Sequence, residues 1–185
     1  KEKHRTLKIV RIGTSGALQP DLPLGTHLIS EYGVGLDSLM CYYPLQQTDF
    51  ENEISQALQT QIDLPFAPYC VAADQELLAQ VGEGMTLGNT ITCPGFYGPQ
   101  GRNLRAGLAK PDMLEKLAVF HDQDFWITNF EMETAGYYAM GRLLGHQTLS
   151  ANAIVANRFQ GTFAKNAGKV IDELIERVLD SLVKT

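Results

Sequence analysis

The sequence predicts an α/β fold with a mixed, largely buried central sheet flanked by helices. Three observations carry that expectation. Short apolar runs of strand character alternate with segments of helical periodicity along the whole chain. Several of the strand runs are apolar nearly throughout, as in strands covered on both faces. Glycine and proline punctuate the boundaries between runs.

The elements follow in order. "TLKIVRI" (Thr6 to Ile12) reads as a strand ending at Gly13, and "THLIS" (Thr26 to Ser30) as a second strand after the turn "QPDLPLG". Helix formers fill Asp49 to Ile62 and stop before Pro65. "YCVAA" (Tyr69 to Ala73) is a short strand, and Gln75 to Gly82 a short helix closed by glycine. Met85 to Cys93 is a strand feeding the loop "PGFYGPQGRN". Pro111 and Asp112 open a helix over "MLEKLAVFHD", followed by a strand from Asp124 to Met132. "ETAGYYAMGRLLGH" is helical, with Gly145 near its end. Thr148 to Asn157 is a buried-type strand. In "NAGKVIDELIERVLDSLVK", Val170, Ile171, Leu174, Ile175, Val178, Leu179 and Leu182 recur at helical spacing, a stripe expected to pack on the core.

Nothing divides the 185 residues: no repeat and no low-complexity linker, so 1–185 read as a single domain. Apolar residues at 44% and charged residues at 19% suit a folded protein with a core. A net charge of −6 argues against nucleic acid as a partner, since phosphate backbones are held by excess Lys and Arg. No apolar run is long enough to span a bilayer, and no cleavable signal pattern stands at the start. Cys41, Cys70 and Cys93 are odd in number and form no CxxC pair. A disulfide framework or zinc site is therefore not expected, and a reducing cytoplasm is. His4, His27, His121 and His146 show no metal-ligand spacing, so no metal is expected.

Three segments at strand ends carry chemistry, where ligands of such folds gather. In "RIGTSG", Arg11 offers a charged fork, Thr14 and Ser15 offer hydroxyls, and Gly13 allows close backbone approach to an anion. Alone, the segment reads rather as a tight turn with Arg11 bonded to a structural carboxylate. It lacks the lysine and spacing of a P-loop. In "GFYGPQGR", Phe96 can stack on a planar ring, Gln100 can donate and accept, and Arg102 can donate to a carbonyl. Alone, it also reads as a solvated surface loop. In "NFEMET", at a strand-to-helix junction, one of Glu131 and Glu133 can face a pocket while the other caps the following helix, where negative charge is favourable. Both as helix caps is the other reading.

Taken together and in this order, the segments resemble the nucleoside phosphorylase-I family, in particular its uridine phosphorylase branch. "RIGTSGALQP" is similar to the family's phosphate segment, "FYGPQGR" to the branch's base loop, and "FEMETAGYYAMGRLLG" to the ribose segment with its helix. "AIVANR" resembles the strand that ends in Asn-Arg in uridine phosphorylases. The resemblance runs from Thr6 to the C-terminus.

The resemblance implies a nucleoside phosphorylase-like three-layer fold, and a reaction in which uridine and phosphate give uracil and ribose 1-phosphate in pyrimidine salvage. Arg11, Gly13, Thr14 and Ser15 would bind phosphate. Thr14, Met132 and Glu133, with Glu131 as a weaker candidate, would hold the ribose. Phe96, Gln100, Arg102, Val155 and Ala156 would form the base site. Arg102, Glu133 and Arg11 would carry the catalysis. Arg158 would support the base loop or a neighbouring carboxylate rather than touch substrate. Phosphate is a co-substrate and no cofactor is implied. The implied partners are a pyrimidine nucleoside, phosphate and other copies of the chain, in dimers or hexamers of dimers.

Purine members and the related nucleosidases place an aspartate after the late strand. Asn157 and Arg158 stand there instead, which favours a pyrimidine. A purine nucleoside phosphorylase, a nucleosidase and a non-catalytic nucleoside-binding protein are the alternatives. Family members are longer at the N-terminus, where further strands and another phosphate-binding arginine lie. "KEKHR" does not match that start, so His4 and Arg5 receive no site role. The 185 residues are expected to be the C-terminal major part of such a domain. Alone, they are expected to expose a sheet edge and to bind phosphate poorly.

Overall fold

A computed structural model describes residues 5–183. His4 lies outside the described residues, as does Lys184 at the end of the expected last helix. The strands are β1 (Lys8–Ala17), β2 (His27–Gly35), β3 (Tyr69–Ala72), β4 (Thr86–Thr92), β5 (His121–Asp122), β6 (Phe125–Glu131), β7 (Gln147–Asn157) and β8 (Thr162–Phe163). The α-helices are α1 (Asp49–Ile62), α2 (Gln75–Val81), α3 (Met113–Ala118), α4 (Thr134–Leu144) and α5 (Ala167–Val183). The sheet is mixed, runs β3-β2-β4-β6-β1-β7-β8, and is flanked by helices as the sequence predicts.

The sheet also closes on itself. β2 pairs with β7 through His27–Ile29, so β2, β4, β6, β1 and β7 form a ring with β3 and β8 outside it. The sequence carries no sign of this closure, because period-two patterning reports burial and not strand neighbours. Two of the apolar clusters among the described residues join helices to the sheet. One joins α1 and α3 to the sheet through Leu58, Leu117, Ile91, Ile127 and their neighbours. The other joins α2, α4 and α5 through Leu77, Tyr138, Leu174, Leu149 and theirs. Cys70 and Cys93 belong to the first core, and burial pushes the Cys93 thiol up to about 12.

α1 starts where its caps dictate. Thr48 accepts from Glu51 N–H and Glu51 Oε2 accepts from Thr48 N–H, a capping box. Glu51 also binds Arg142 of α4 through both oxygens, at 2.6 and 2.7 Å, and accepts from Ala72 N–H of β3. One buried carboxylate thus pins two helices and a strand.

Four expectations need correction. β1 does not stop at Gly13. It continues to Ala17, held by β7 along its whole length and by β6 at Gly16 and Ala17. β2 runs on to Gly35, paired with β3 and β4. The third helix ends at Ala118, because His121 and Asp122 fold back on Phe125 and Trp126 as a small hairpin. On α5, Leu174 and Val178 are buried, but Ile175 and Leu179 are exposed: the contact with β7 covers a narrower stripe than the periodicity suggests. Among the described residues, no helix is long and apolar enough to cross a membrane.

Candidate active site

A cavity of about 570 Å³ opens at one end of the ring, within the range of small-molecule sites. All twelve site residues named from the sequence line it. β1 contributes Arg11, Gly13, Thr14 and Ser15; the junction of β6 and α4 contributes Glu131, Met132 and Glu133. The loop after β4 contributes Phe96, Gln100 and Arg102, and the end of β7 contributes Val155 and Ala156.

Arg11 lies within a strand and not at its end, so a turn does not bring it to the site. Its side chain folds along the strand over Gly13, its neighbour on the same face. A Cβ on Gly13 would stand 2.6 Å from Arg11 Nη2, so this glycine makes room for the guanidinium. Both terminal nitrogens of the fork are engaged. Nη1 donates to Asn152 Oδ1 at 3.0 Å and to Ser150 Oγ at 3.2 Å. Nη2 pairs with Glu131 Oε2 at 3.2 Å and, closer still, with Glu133 Oε2.

The two carboxylates divide their work by burial. Glu131 is buried, and both its oxygens are taken up inside the protein. Oε1 accepts from Thr92 Oγ1 at 2.7 Å; Oε2 accepts from the N–H groups of Glu133 and Thr134, both at 2.9 Å. Glu131 therefore caps α4, where negative charge suits the free N–H groups. Glu133 is exposed and faces the cavity with Arg11 as its partner.

Ser15 departs from the expectation of a hydroxyl donor. Its one hydroxyl proton goes to the Phe130 carbonyl at 3.0 Å, and its oxygen accepts from Asn129 Nδ2 at 2.6 Å. The Thr14 side chain is exposed at the cavity.

The loop after β4 is built on a short 3-10 turn, Gly98–Gln100, closed by Gly101 at φ 66°, a conformation glycine adopts without strain. Gln100 is buried. Arg102 stacks on Phe96, 3.7 Å from the ring centre, and donates to Gln100 Oε1 and to the Phe96 carbonyl. Arg158 donates to the Gly101 carbonyl at 3.0 Å, so it braces the loop. Burial, and then the charge of Arg158, hold the Arg102 guanidinium below its ordinary value. Among the described residues no carboxylate forms an ion pair with Arg102.

The end of β7 reaches the cavity through a bulge. The register against β1 shifts between Ser15 and Gly16, so Val155 has no partner there. A bulge of this kind re-aims a side chain, here toward the cavity. Asn157 is buried as a turn former: it donates to Gln19 O and accepts from the N–H groups of Phe159 and Gln160. Phe130 and Phe163 also line the cavity. Nothing in "TF", a two-residue strand, marked Phe163 in advance.

Comparison with known proteins agrees with this architecture. The model of the phosphorylase superfamily matches residues 3–184. The chain is similar to a uridine phosphorylase of Thermococcus kodakarensis, 27% identical over 86% of this chain and 52% of that protein. It is also similar to a DeoD-type purine nucleoside phosphorylase of Haemophilus ducreyi, 26% identical over 95% of this chain and 63% of that one. The chain thus spans between about half and two thirds of these relatives' length.

Among solved structures, a nucleoside phosphorylase of Trypanosoma brucei, described as showing uridine phosphorylase activity, superposes with a TM-score of 0.87 at 24% identity. The match covers 96% of this chain and 64% of that one. A uridine phosphorylase of Schistosoma mansoni superposes with a TM-score of 0.65 at 20% identity, over 96% and 60% of the two chains. These structures share its fold, and by the family match the chain belongs to the phosphorylase superfamily.

Proposed function

We propose that the protein carrying this chain is a nucleoside phosphorylase that splits uridine, or a related pyrimidine nucleoside, with phosphate. The observation that carries the reading is the common cavity of Arg11, Glu133, Gln100 and Arg102. An anion-binding fork, an exposed carboxylate suited to a vicinal diol, and a donor–acceptor pair suited to a planar base share one space of nucleoside size.

In this reading phosphate takes up Arg11 and Thr14, and the ribose hydroxyls take up Glu133 beside Met132. Phosphate must displace Glu133 from Arg11, which frees that carboxylate for the sugar. Gln100 and Arg102 read the base, with Phe96, Val155 and Ala156 around it. The glycosidic bond breaks through a cation-like ribose. Phosphate stabilises that positive charge and attacks the anomeric carbon from a fixed position. The base leaves with negative charge growing on its ring, which Arg102 stabilises. No cofactor enters the scheme. A cytoplasmic homo-oligomer built from single-domain subunits completes the reading.

A pyrimidine is favoured because Asn157 is engaged in a turn and Arg158 follows it, so no acid stands at the end of β7 to protonate a purine ring. The likeness to a purine nucleoside phosphorylase supports purine phosphorolysis as the second reading. Absorbance assays on the whole protein with uridine and inosine, each with and without phosphate, decide the matter. Phosphate-dependent loss of uridine alone is expected. Loss of inosine alone moves the reading to purines, turnover without phosphate indicates a nucleosidase, and binding without turnover ends the catalytic reading.

A further inference from the structure

Arg11 is held from behind as well as from the front. Its partners there, Ser150 and Asn152 of β7, are fully buried, and both are neutral. A guanidinium can only donate, so it turns the Asn152 amide with its oxygen toward the site and its nitrogen away. That nitrogen donates to Ser30 Oγ of β2 at 2.9 Å. Ser30 Oγ meets Thr90 Oγ1 of β4 at 2.6 Å, and Thr90 donates to Asn129 Oδ1 of β6 at 2.9 Å. Asn129 Nδ2 then donates to Ser15 of β1.

One run of hydrogen bonds therefore crosses the inside of the ring, touches all five of its strands, and begins and ends on the same anion-binding segment. A buried polar network of this kind, with its members paired, fixes one arrangement of side chains. Its chemistry at Arg11 is specific. Glu131 and Glu133 oppose the guanidinium charge through Nη2, whereas an amide and a hydroxyl hold Nη1 and add no opposing charge. The neutral side of the clasp sets the plane of the fork without competing against an incoming anion.

We propose that Asn152 is a positioning residue for anion binding, supported through Ser30, Thr90 and Asn129, and that it aims the Arg11 guanidinium at phosphate without cancelling its charge. The proposal rests on the reading of the cavity as a phosphate site.

The test is calorimetric binding of inorganic phosphate to the whole protein, beside the KM for uridine and the thermal midpoint. Asn152→Ala is expected to weaken phosphate binding about tenfold while the uridine KM changes less than twofold. Asn152→Asp, of the same shape, is expected to weaken it further, because a third carboxylate then competes for Arg11. Ser30→Ala, one link deeper, covers the case in which the Asn152 variants fail to fold; a loss of about threefold, again confined to phosphate, is expected. Equal losses for phosphate and uridine, wild-type phosphate affinity in Asn152→Asp, or a wild-type protein that binds no phosphate would overturn the proposal. Phosphate binding without base release by the wild type sinks the proposed reaction alone, and the same variants still decide the role of Asn152.

Discussion

Glu133 and Arg11 meet across the mouth of the cavity in an ion pair that ties the start of α4 to the middle of β1. Of the two carboxylates on Arg11, Glu133 is the releasable one: its side chain is 46% exposed, against 2% for Glu131. The pair therefore stands where phosphate and ribose must both bind in the proposed reaction.

Glu133→Gln should separate those two events. Phosphate no longer competes with a carboxylate for Arg11, so its affinity should rise severalfold. The ribose loses a charged acceptor, so kcat/KM for uridine should fall by about 10- to 100-fold, the loss of one charge-assisted hydrogen bond. Phosphate titration and steady-state kinetics on the whole protein read the two effects; a parallel fall in both would show that Glu133 aids phosphate binding.

Arg102→Ala should act on the leaving base. Removing a donor aimed at developing charge lowers kcat by about 100-fold or more in comparable sites. Phosphate affinity should stay within twofold, since Arg102 sits in the base loop and not on β1. Competition by free uracil should weaken as well. An unchanged kcat would remove Arg102 from the chemistry.

Gly13→Ala tests the placement of Arg11 by its neighbour. The new methyl would fall 2.6 Å from Nη2 and 2.7 Å from Cζ, so the guanidinium must leave its bed. Phosphate binding should weaken at least tenfold. Stability should change by only about 1 kcal/mol, because the displaced group is the end of a flexible side chain. Denaturant unfolding beside phosphate titration checks both.

Arg142→Ala tests the pin between α1 and α4, away from the cavity. Burial raises the Glu51 carboxyl, but the Arg142 guanidinium and the Thr48 and Ala72 N–H groups outweigh it and hold the group below its usual value. A depressed carboxylate adds stability above its unfolded value and loses it as pH falls through the folded one. Without Arg142 the buried carboxylate stands without its cation, at a cost of about 3 kcal/mol near neutral pH. The gap between wild type and variant should narrow as pH falls from the ordinary carboxylate range through the depressed value of Glu51. Urea unfolding at pH 7 and at pH 4 measures it; a gap that widens in acid would contradict the account.

Much of the site was legible because its residues cluster in short segments. Arg11 to Ser15, Phe96 to Arg102 and Glu131 to Glu133 each carry several polar groups within a few positions, and a local pattern survives without tertiary information. Ser150 and Asn152 were hidden for the opposite reason. They lie in "TLSANAIVAN", where small residues and isolated polar ones blend into a buried strand. Their alternation, with Thr148, was the available signal: polar groups at every second position of a buried strand face one side together. Ser15 shows the limit of a motif, since a hydroxyl beside an arginine reads as a second donor until its own proton has a partner.

From the sequence alone follow the α/β class, most element positions, and which side chains carry charge, rings and hydroxyls, because periodicity and residue chemistry are local properties. The tertiary structure decided that β1 runs straight through the glycine segment, that five strands close into a ring, and that Glu131 caps a helix while Glu133 faces the cavity. Those outcomes depend on which strand lies beside which and on which hydrogen-bonding groups find partners across the fold. Such pairings join residues more than a hundred positions apart, as with Arg11 and Asn152, and local pattern holds no record of them.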